Sequence, residues 1–320
     1  MGERGTGAGD RQTLGAGDPR TLGAGEPRPD PSNRLEAVVL GRVGADLYPL
    51  ELNTPLERVR RFERFVGGFA GNVATGLARL GVHVAIVSGV GDDGHGRFVR
   101  DFLAGEGVDV RWLAVHPTLR TALAFCEIWP PDHFPITFYR TPTCPDWELR
   151  PTDLPSDGLG QADLLYVTGT GLAREPSRST TLEAVERFRA SQAPPRARAW
   201  LPATIFDLDW REQLWTDPTE YPGLAAELAE RVEVVLGGAS EFAAAGLDPD
   251  GLVGRGVRIA VEKRGPEGAR VVTARGSRVV PGLPVPVVNG LGAGDAFAAA
   301  FGAGLLAGLE PEAAVERANA

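Results

Sequence analysis

Short, largely apolar runs recur through this chain, many of them closed by glycine, serine or aspartate. They fall at 35–40, 82–88, 164–167, 203–207, 232–236, 257–261 and 269–273. A strand without strict polar alternation must be covered on both faces, and helices supply that cover. The stretches at 73–80, 97–103, 180–190 and 224–231 have the composition and spacing of such helices, and 58–65 is amphipathic too. The expected fold is α/β: a doubly wound, mostly parallel sheet with helices on both faces.

Residues 111–141 break this rhythm. Two β-like runs, 121–128 and 136–140, flank the turn Trp129-Pro130-Pro131-Asp132-His133. They read as a hairpin projecting from the sheet, so a small β lid is expected at about 46–54 and 120–141. Such a hairpin could cover a pocket or pair with a second copy along its edge. Residues 1–33 are low in complexity, with Thr13 to Arg20 nearly repeated at Thr21 to Arg28. They hold too little apolar surface to offset ordering entropy and are expected to be a disordered tail before a domain at 34–320.

A net charge of −9 argues against non-specific nucleic-acid binding. Cys126 and Cys144 lack CxxC spacing and read as free thiols in a reducing compartment. His83, His95, His116 and His133 are scattered and suggest no site. No run reaches the length of a membrane span and no signal peptide is visible, so the cytoplasm is expected. Lys263 is the sole lysine, and Arg264 and Gly265 follow it, which excludes a Walker A loop.

The chemistry concentrates in Asn289-Gly290-Leu291-Gly292-Ala293-Gly294-Asp295, between an extended run and an alanine-rich helix reaching about Leu306. Glycines there let a ligand approach the backbone, and the new helix offers free N–H groups to an anion. Asp295 adds a carboxylate beside that anion site. It would repel a resting phosphate, but it suits a group that takes a proton from an attacking hydroxyl. The same letters also fit a plain glycine turn. Gly7-Ala8-Gly9-Asp10 and Gly15-Ala16-Gly17-Asp18 repeat them without strand or helix, so the context carries the meaning. Asp46, just past the first strand, is a candidate for substrate hydroxyls or simply a turn residue. Gly67, Gly68 and Asn72 form a second polar helix entry. Gly89-Val90-Gly91-Asp92-Asp93-Gly94 fits GxGxxG, but two acids inside the loop argue against a pyrophosphate.

In this order the motifs resemble the ribokinase-like (PfkB) family of carbohydrate kinases. Gly67-Gly68 with Asn72, Ala78 to Gly81 and Gly89 to Gly96 look like its N-terminal signature, and Asn289 to Phe297 like its C-terminal one. Gly41 to Pro49, Phe138-Tyr139-Arg140, Phe206 to Arg211, Leu214-Trp215 and Val288 to Asp295 look most like the subgroup acting on 5-dehydro-2-deoxy-D-gluconate in myo-inositol catabolism. The resemblance implies ATP and Mg²⁺ as cofactors, and Asp295 as general base with Gly292, Ala293 and Gly294 as the anion hole. It implies Asp46, Gly67, Gly68 and Asn72 around substrate hydroxyls, and Arg140 and Arg211 on the substrate carboxylate, which arginine binds through paired bonds. Lys263, Gly265, Gly268 and Asn319 would lie near the nucleotide, and Glu241 would orient Mg²⁺ through water.

Two departures stand out. Gly238 occupies the position, three before Glu241, where the family usually has Asn. The chain stops at Ala318-Asn319-Ala320, where relatives continue, so part of the nucleotide pocket is expected to be missing or the chain to be a fragment. The alternatives are a kinase for 2-keto-3-deoxygluconate, fructose or ribose, or a non-catalytic sugar- or nucleotide-binding protein on the same fold.

Overall fold

A computed structural model describes residues 34–192 and 200–320. The tail expected at 1–33 lies outside the described residues. The strands are β1 (Ala37–Leu40), β2 (Gly44–Pro49), β3 (Phe62–Gly67), β4 (Val84–Gly91), β5 (Leu113–His116), β6 (Leu123–Cys126), β7 (Ile136–Tyr139), β8 (Leu164–Thr168), β9 (Ala203–Asp207), β10 (Val234–Gly238), β11 (Ile259–Lys263), β12 (Ala269–Thr273) and β13 (Gly276–Val280). The helices are α1 (Phe69–Arg79), α2 (Gly94–Gly105), α3 (Ser177–Ser191), α4 (Tyr221–Ala229), α5 (Ala239–Ala245), α6 (Pro249–Gly254), α7 (Ala293–Leu306) and α8 (Pro311–Ala318).

The main sheet has the order β13-β12-β11-β10-β9-β8-β1-β4-β5. Its strands pair in parallel from β5 to β11, and β12 and β13 close one edge antiparallel. The expected doubly wound sheet is therefore present. Successive side chains of a strand point to opposite faces. Val39 joins one core with Phe69, Leu77, Leu103 and Phe301, while Val38 and Leu40 join the other with Phe188, Tyr221 and Leu228. Helices α1, α2, α7 and α8 thus cover one face and α3 to α6 the other. Among the described residues no helix is long and apolar enough to cross a membrane. Both cysteines are free and buried.

A second sheet, ordered β3-β2-β6-β7, forms the small β layer. The hairpin β6–β7 is antiparallel, and β6 joins β2 in parallel. The amphipathic segment 58–65, assigned to no element from sequence, joins this sheet. A short turn at Leu56–Arg58 leads into β3, which pairs antiparallel with β2. Apolar residues at 62, 65 and 66 fit a helical turn as readily as a pleat, and only pairing with β2 decides.

The GxGxxG word joins β4 to α2. Asp93 caps that helix, accepting the amides of His95 at 2.9 Å and Gly96 at 2.8 Å. It also accepts the Thr121 amide at 2.9 Å, which ties α2 to the start of the lid hairpin. The acid inside the loop has a structural use.

Candidate active site

In parallel sheets ligands approach the C-terminal ends of the strands. There a pocket of about 640 Å³, open mouth included, is lined by Arg42, Asp46, Asn72, Asp209, Arg211 and Asp295. The lid faces it with Tyr48, Ala124, Ile136 and Phe138.

Helix α7 begins after Gly292, whose φ of 77° is left-handed and suits a residue without Cβ. Asp295 stands in the first turn. The side-chain amide of Asn72, from α1, donates to Asp295 Oδ2 at 2.7 Å. Asn72, expected near substrate hydroxyls, is thus first a partner of the candidate base. Helix α1 follows Gly68, with φ 82°, where a Cβ would meet the Arg42 carbonyl oxygen at 2.6 Å. At Gly67 a side chain would run into the Asp46 carboxylate. The two glycines therefore let the lid strands, Asp46 and α1 converge.

Burial raises the pKa of Asp295, and the charge of Asp209 adds to this against Asn72, Lys263 and Arg211. Burial pushes Asp46 up to about 6, with Arg42 and Arg140 opposing and Asp295 adding. A base works only when ionised. The expected kcat/KM therefore rises with pH through a limb above the ordinary carboxylate range. Removing the neighbouring charge with Asp209→Asn is expected to move that limb to lower pH. Full pH–rate profiles of both proteins check this, and an unmoved limb contradicts the coupling.

The arginines arrive with partners. Arg42 donates to Asp209 Oδ2 at 2.7 Å and to Thr170 Oγ1 at 2.8 Å, and Thr170 donates to Asp209 at 2.7 Å. Arg211 Nε lies 3.3 Å from the other oxygen of Asp209. One acid is shared by two guanidinium groups. Burial works against the Asp209 carboxylate, but Arg42, Arg211 and these hydrogen bonds hold its pKa below the usual range. Asp209 also takes a left-handed backbone, φ 32°, which Asp tolerates better than most residues. Arg140 donates to Asp146 at 2.5 Å and stacks over Trp147 at 4.1 Å. Asp146 also accepts the Val43 amide at 3.1 Å, so the Arg140 pair fastens the end of β7 to the link between β1 and β2.

Lys263 ends β11 and donates to Asp207 Oδ2 at 2.9 Å. A Cβ on Gly294 would stand 3.5 Å from its Nζ, so the sole lysine lies beside the start of α7. Burial opposes the ammonium, but Asp207, Glu241 and Asp295 outweigh it and raise its pKa. Burial raises Asp207 in turn, against the pull of Lys263. Gly265 and Gly268 shape the turn from β11 to β12. Gly268 packs against the backbone at 280–282, where Asn319 donates to the carbonyls of Val280 at 3.1 Å and Pro281 at 3.2 Å. Gly268 and Asn319 therefore share one corner, with the Asn319 amide engaged by backbone. Glu241 folds back onto the Gly238 amide at 2.7 Å and closes the first turn of α5, so glycine at 238 leaves this cap intact.

The structure brings Asp46, Asn72, Arg140, Arg211, Gly292 and Asp295 to one pocket. Arg42 and Asp209 line it too, and Asp146 and Asp207 hold Arg140 and Lys263; these four were given no role from sequence. Asp207 and Asp209 carried a signal, an acidic pair closing a buried strand. Arg42 and Asp146 carried none.

Residues 34–320 match the model of the pfkB family carbohydrate kinases. The chain is 31% identical over 295 residues to a 5-dehydro-2-deoxygluconokinase of Bacillus subtilis (strain 168), covering 89% of this chain and 88% of the relative. It is 33% identical over 307 residues to one of Clostridium tetani (strain Massachusetts / E88), covering 91% and 87%. Among solved structures it resembles a PfkB protein from Polaromonas sp. JS666, with TM-score 0.75, 30% identity and coverage of 89% and 93%. It also resembles an uncharacterized sugar kinase from Pyrococcus horikoshii in complex with ATP, with TM-score 0.77, 26% identity and coverage of 88% and 89%. With the family model spanning the whole described fold, the chain belongs to the pfkB family of carbohydrate kinases.

Proposed function

We propose that this sugar kinase transfers the terminal phosphoryl group of ATP to the terminal hydroxyl of a keto sugar acid in the cytoplasm. 5-Dehydro-2-deoxy-D-gluconate of inositol catabolism is the acceptor favoured by the named relatives. The observation that carries the reading is Asp295, oriented by Asn72 at 2.7 Å and facing a pocket that Arg42 and Arg211 line with Asp209 between them. Asp46, Gly67, Gly68 and Asn72 surround the acceptor's hydroxyls. Arg211 meets the carboxylate, and Arg140 lines the same pocket. Asp295 takes the proton of the attacking hydroxyl as its oxygen bonds to the γ-phosphorus and the bond to ADP breaks. The glycine-turn amides of 292–294 and the ammonium of Lys263 stabilise the charge on the transferring group.

Among the described residues no cluster of three or more His, Cys, Asp or Glu could cage a metal. Mg²⁺ needs only one or two carboxylates when phosphates and water fill its other positions. Glu241, whose Oε2 accepts the Gly238 amide at 2.7 Å, would orient through water an ion that arrives on the triphosphate. Bound there, Mg²⁺ supplies neutralising charge to the phosphates. Lys263, Gly265, Gly268 and Asn319 lie on the nucleotide side.

Comparing a sugar acid with a neutral sugar of similar size tests the carboxylate assignment. Arg211→Ala is expected to lower kcat/KM for the acid roughly 10- to 100-fold, the loss of a charge-assisted hydrogen bond, and to spare the neutral sugar. Equal losses on both overturn it. A second reading has its own support: all three pocket arginines already hold carboxylates, which suits a neutral hexose or pentose. The lid carries aromatic contacts Phe62–Phe125 and Phe125–Tyr139, with Tyr139 58% exposed, and pairing of two lids in a homodimer accounts for that exposure.

A further inference from the structure

The lid touches the base-bearing loop at a point that phosphoryl transfer itself leaves unused. Phe134 lies in the loop between β6 and β7. Its ring edge rests against Gly290: a Cβ there would be 2.9 Å from Cε2 and 3.4 Å from Cδ2. Interiors pack at van der Waals distance, so the bare backbone is what admits the ring. Gly290 does not have a left-handed φ, so a side chain there meets the ring rather than backbone strain.

The Gly290 carbonyl accepts the amide of Ala293, the first residue of α7, at 3.3 Å. Asn289 Oδ1 accepts the Leu291 amide at 2.9 Å and fixes the same turn. A short chain of contacts therefore runs from the ring through Gly290 and Ala293 to Asp295, two residues on. The lid loop is anchored close by, where Gln213 donates to the Ile136 carbonyl at 3.3 Å.

We propose that Phe134 is a positioning residue that holds the Gly290 backbone. Through the Gly290 carbonyl it holds the Ala293 amide, so the position of the lid sets the loop that carries Asp295. This rests on reading that loop as the reacting one and not on the identity of the acceptor.

Hydrogen exchange on the ligand-free full chain tests it. Phe134→Ala is expected to speed exchange across 289–294 about tenfold while β1 and β8 keep their protection. Gly290→Thr, which pushes the ring away, is expected to do the same. The double variant is expected to exchange no faster than either single one, because both remove one contact. Phe134→Leu, which keeps an apolar side chain in the contact, is expected to restore most of the protection. Exchange within twofold of the parent in both single variants, or a double variant whose acceleration is the product of the singles, overturns the proposal. Turnover gives a second readout: Phe134→Ala is expected to raise hydrolysis of ATP by water relative to transfer to a sugar, whereas an equal fall in both contradicts the coupling. An exchange response in a protein that phosphorylates no sugar acid supports the coupling and rejects only the acceptor.

Discussion

Replacing Asp295 by Asn is expected to cut turnover by about three decades or more while leaving ligand binding close to that of the parent. The substitution keeps the shape of the side chain and its place in the first turn of α7, but removes the atom that takes the proton. Asn72 donates to Oδ2 of Asp295, and an amide at 295 can still offer an oxygen to it, so the local fold survives. Binding should hold because the lid, Arg211 and the glycine turn are untouched. Steady-state kinetics with calorimetric binding separates the two quantities. Near-normal turnover would remove Asp295 from the chemistry and with it the central role of its loop.

The second large effect falls on stability. Asp209 and Arg42 are almost wholly buried, with side chains 4% and 7% exposed. Asp209→Asn keeps a residue that tolerates φ 32° but strips the charge that two guanidinium groups share. A buried charge left without its partner costs about 3–5 kcal/mol. Chemical denaturation is expected to show a loss of that size, reduced to the extent that Arg42 recruits water. The double variant Arg42→Met with Asp209→Asn is expected to recover much of it, since the uncompensated guanidinium is gone and Thr170 can still bond at position 209. A single variant within about 1 kcal/mol of the parent would mean that the pair is not a closed buried unit.

The parallel sheet was readable because its strands are covered on both faces, so 35–40 and 203–207 show little of the alternation that an exposed face would impose. Lid strand β3 was not, because the spacing at 62–66 suits a helix or a pleat and only β2 resolves it. Asp295 stood out in the sequence because an alanine-rich stretch of helical composition follows its four letters, and no such stretch follows the same letters at 7–10 and 15–18. The partner of Asp295 did not, because Asn72 lies 223 residues away and no local pattern reports such a meeting. The same holds for the pair Arg42–Asp209, 167 residues apart, and for the Asp146 contact to Val43 across 103 residues. Arg140 and Arg211 both line the pocket, yet what neutralises each one emerges only from the fold. That neutralisation decides how much positive charge is left for a substrate carboxylate.

The most direct measurement is ADP release by the full chain with ATP and Mg²⁺ over a panel of acceptors: 5-dehydro-2-deoxy-D-gluconate, 2-keto-3-deoxygluconate, fructose and ribose. The expected result is Mg²⁺-dependent release that is fastest with a keto sugar acid, 5-dehydro-2-deoxy-D-gluconate foremost, and lost in Asp295→Asn. Release that is fastest with fructose or ribose, or equal in the Asp295→Asn variant, contradicts the account.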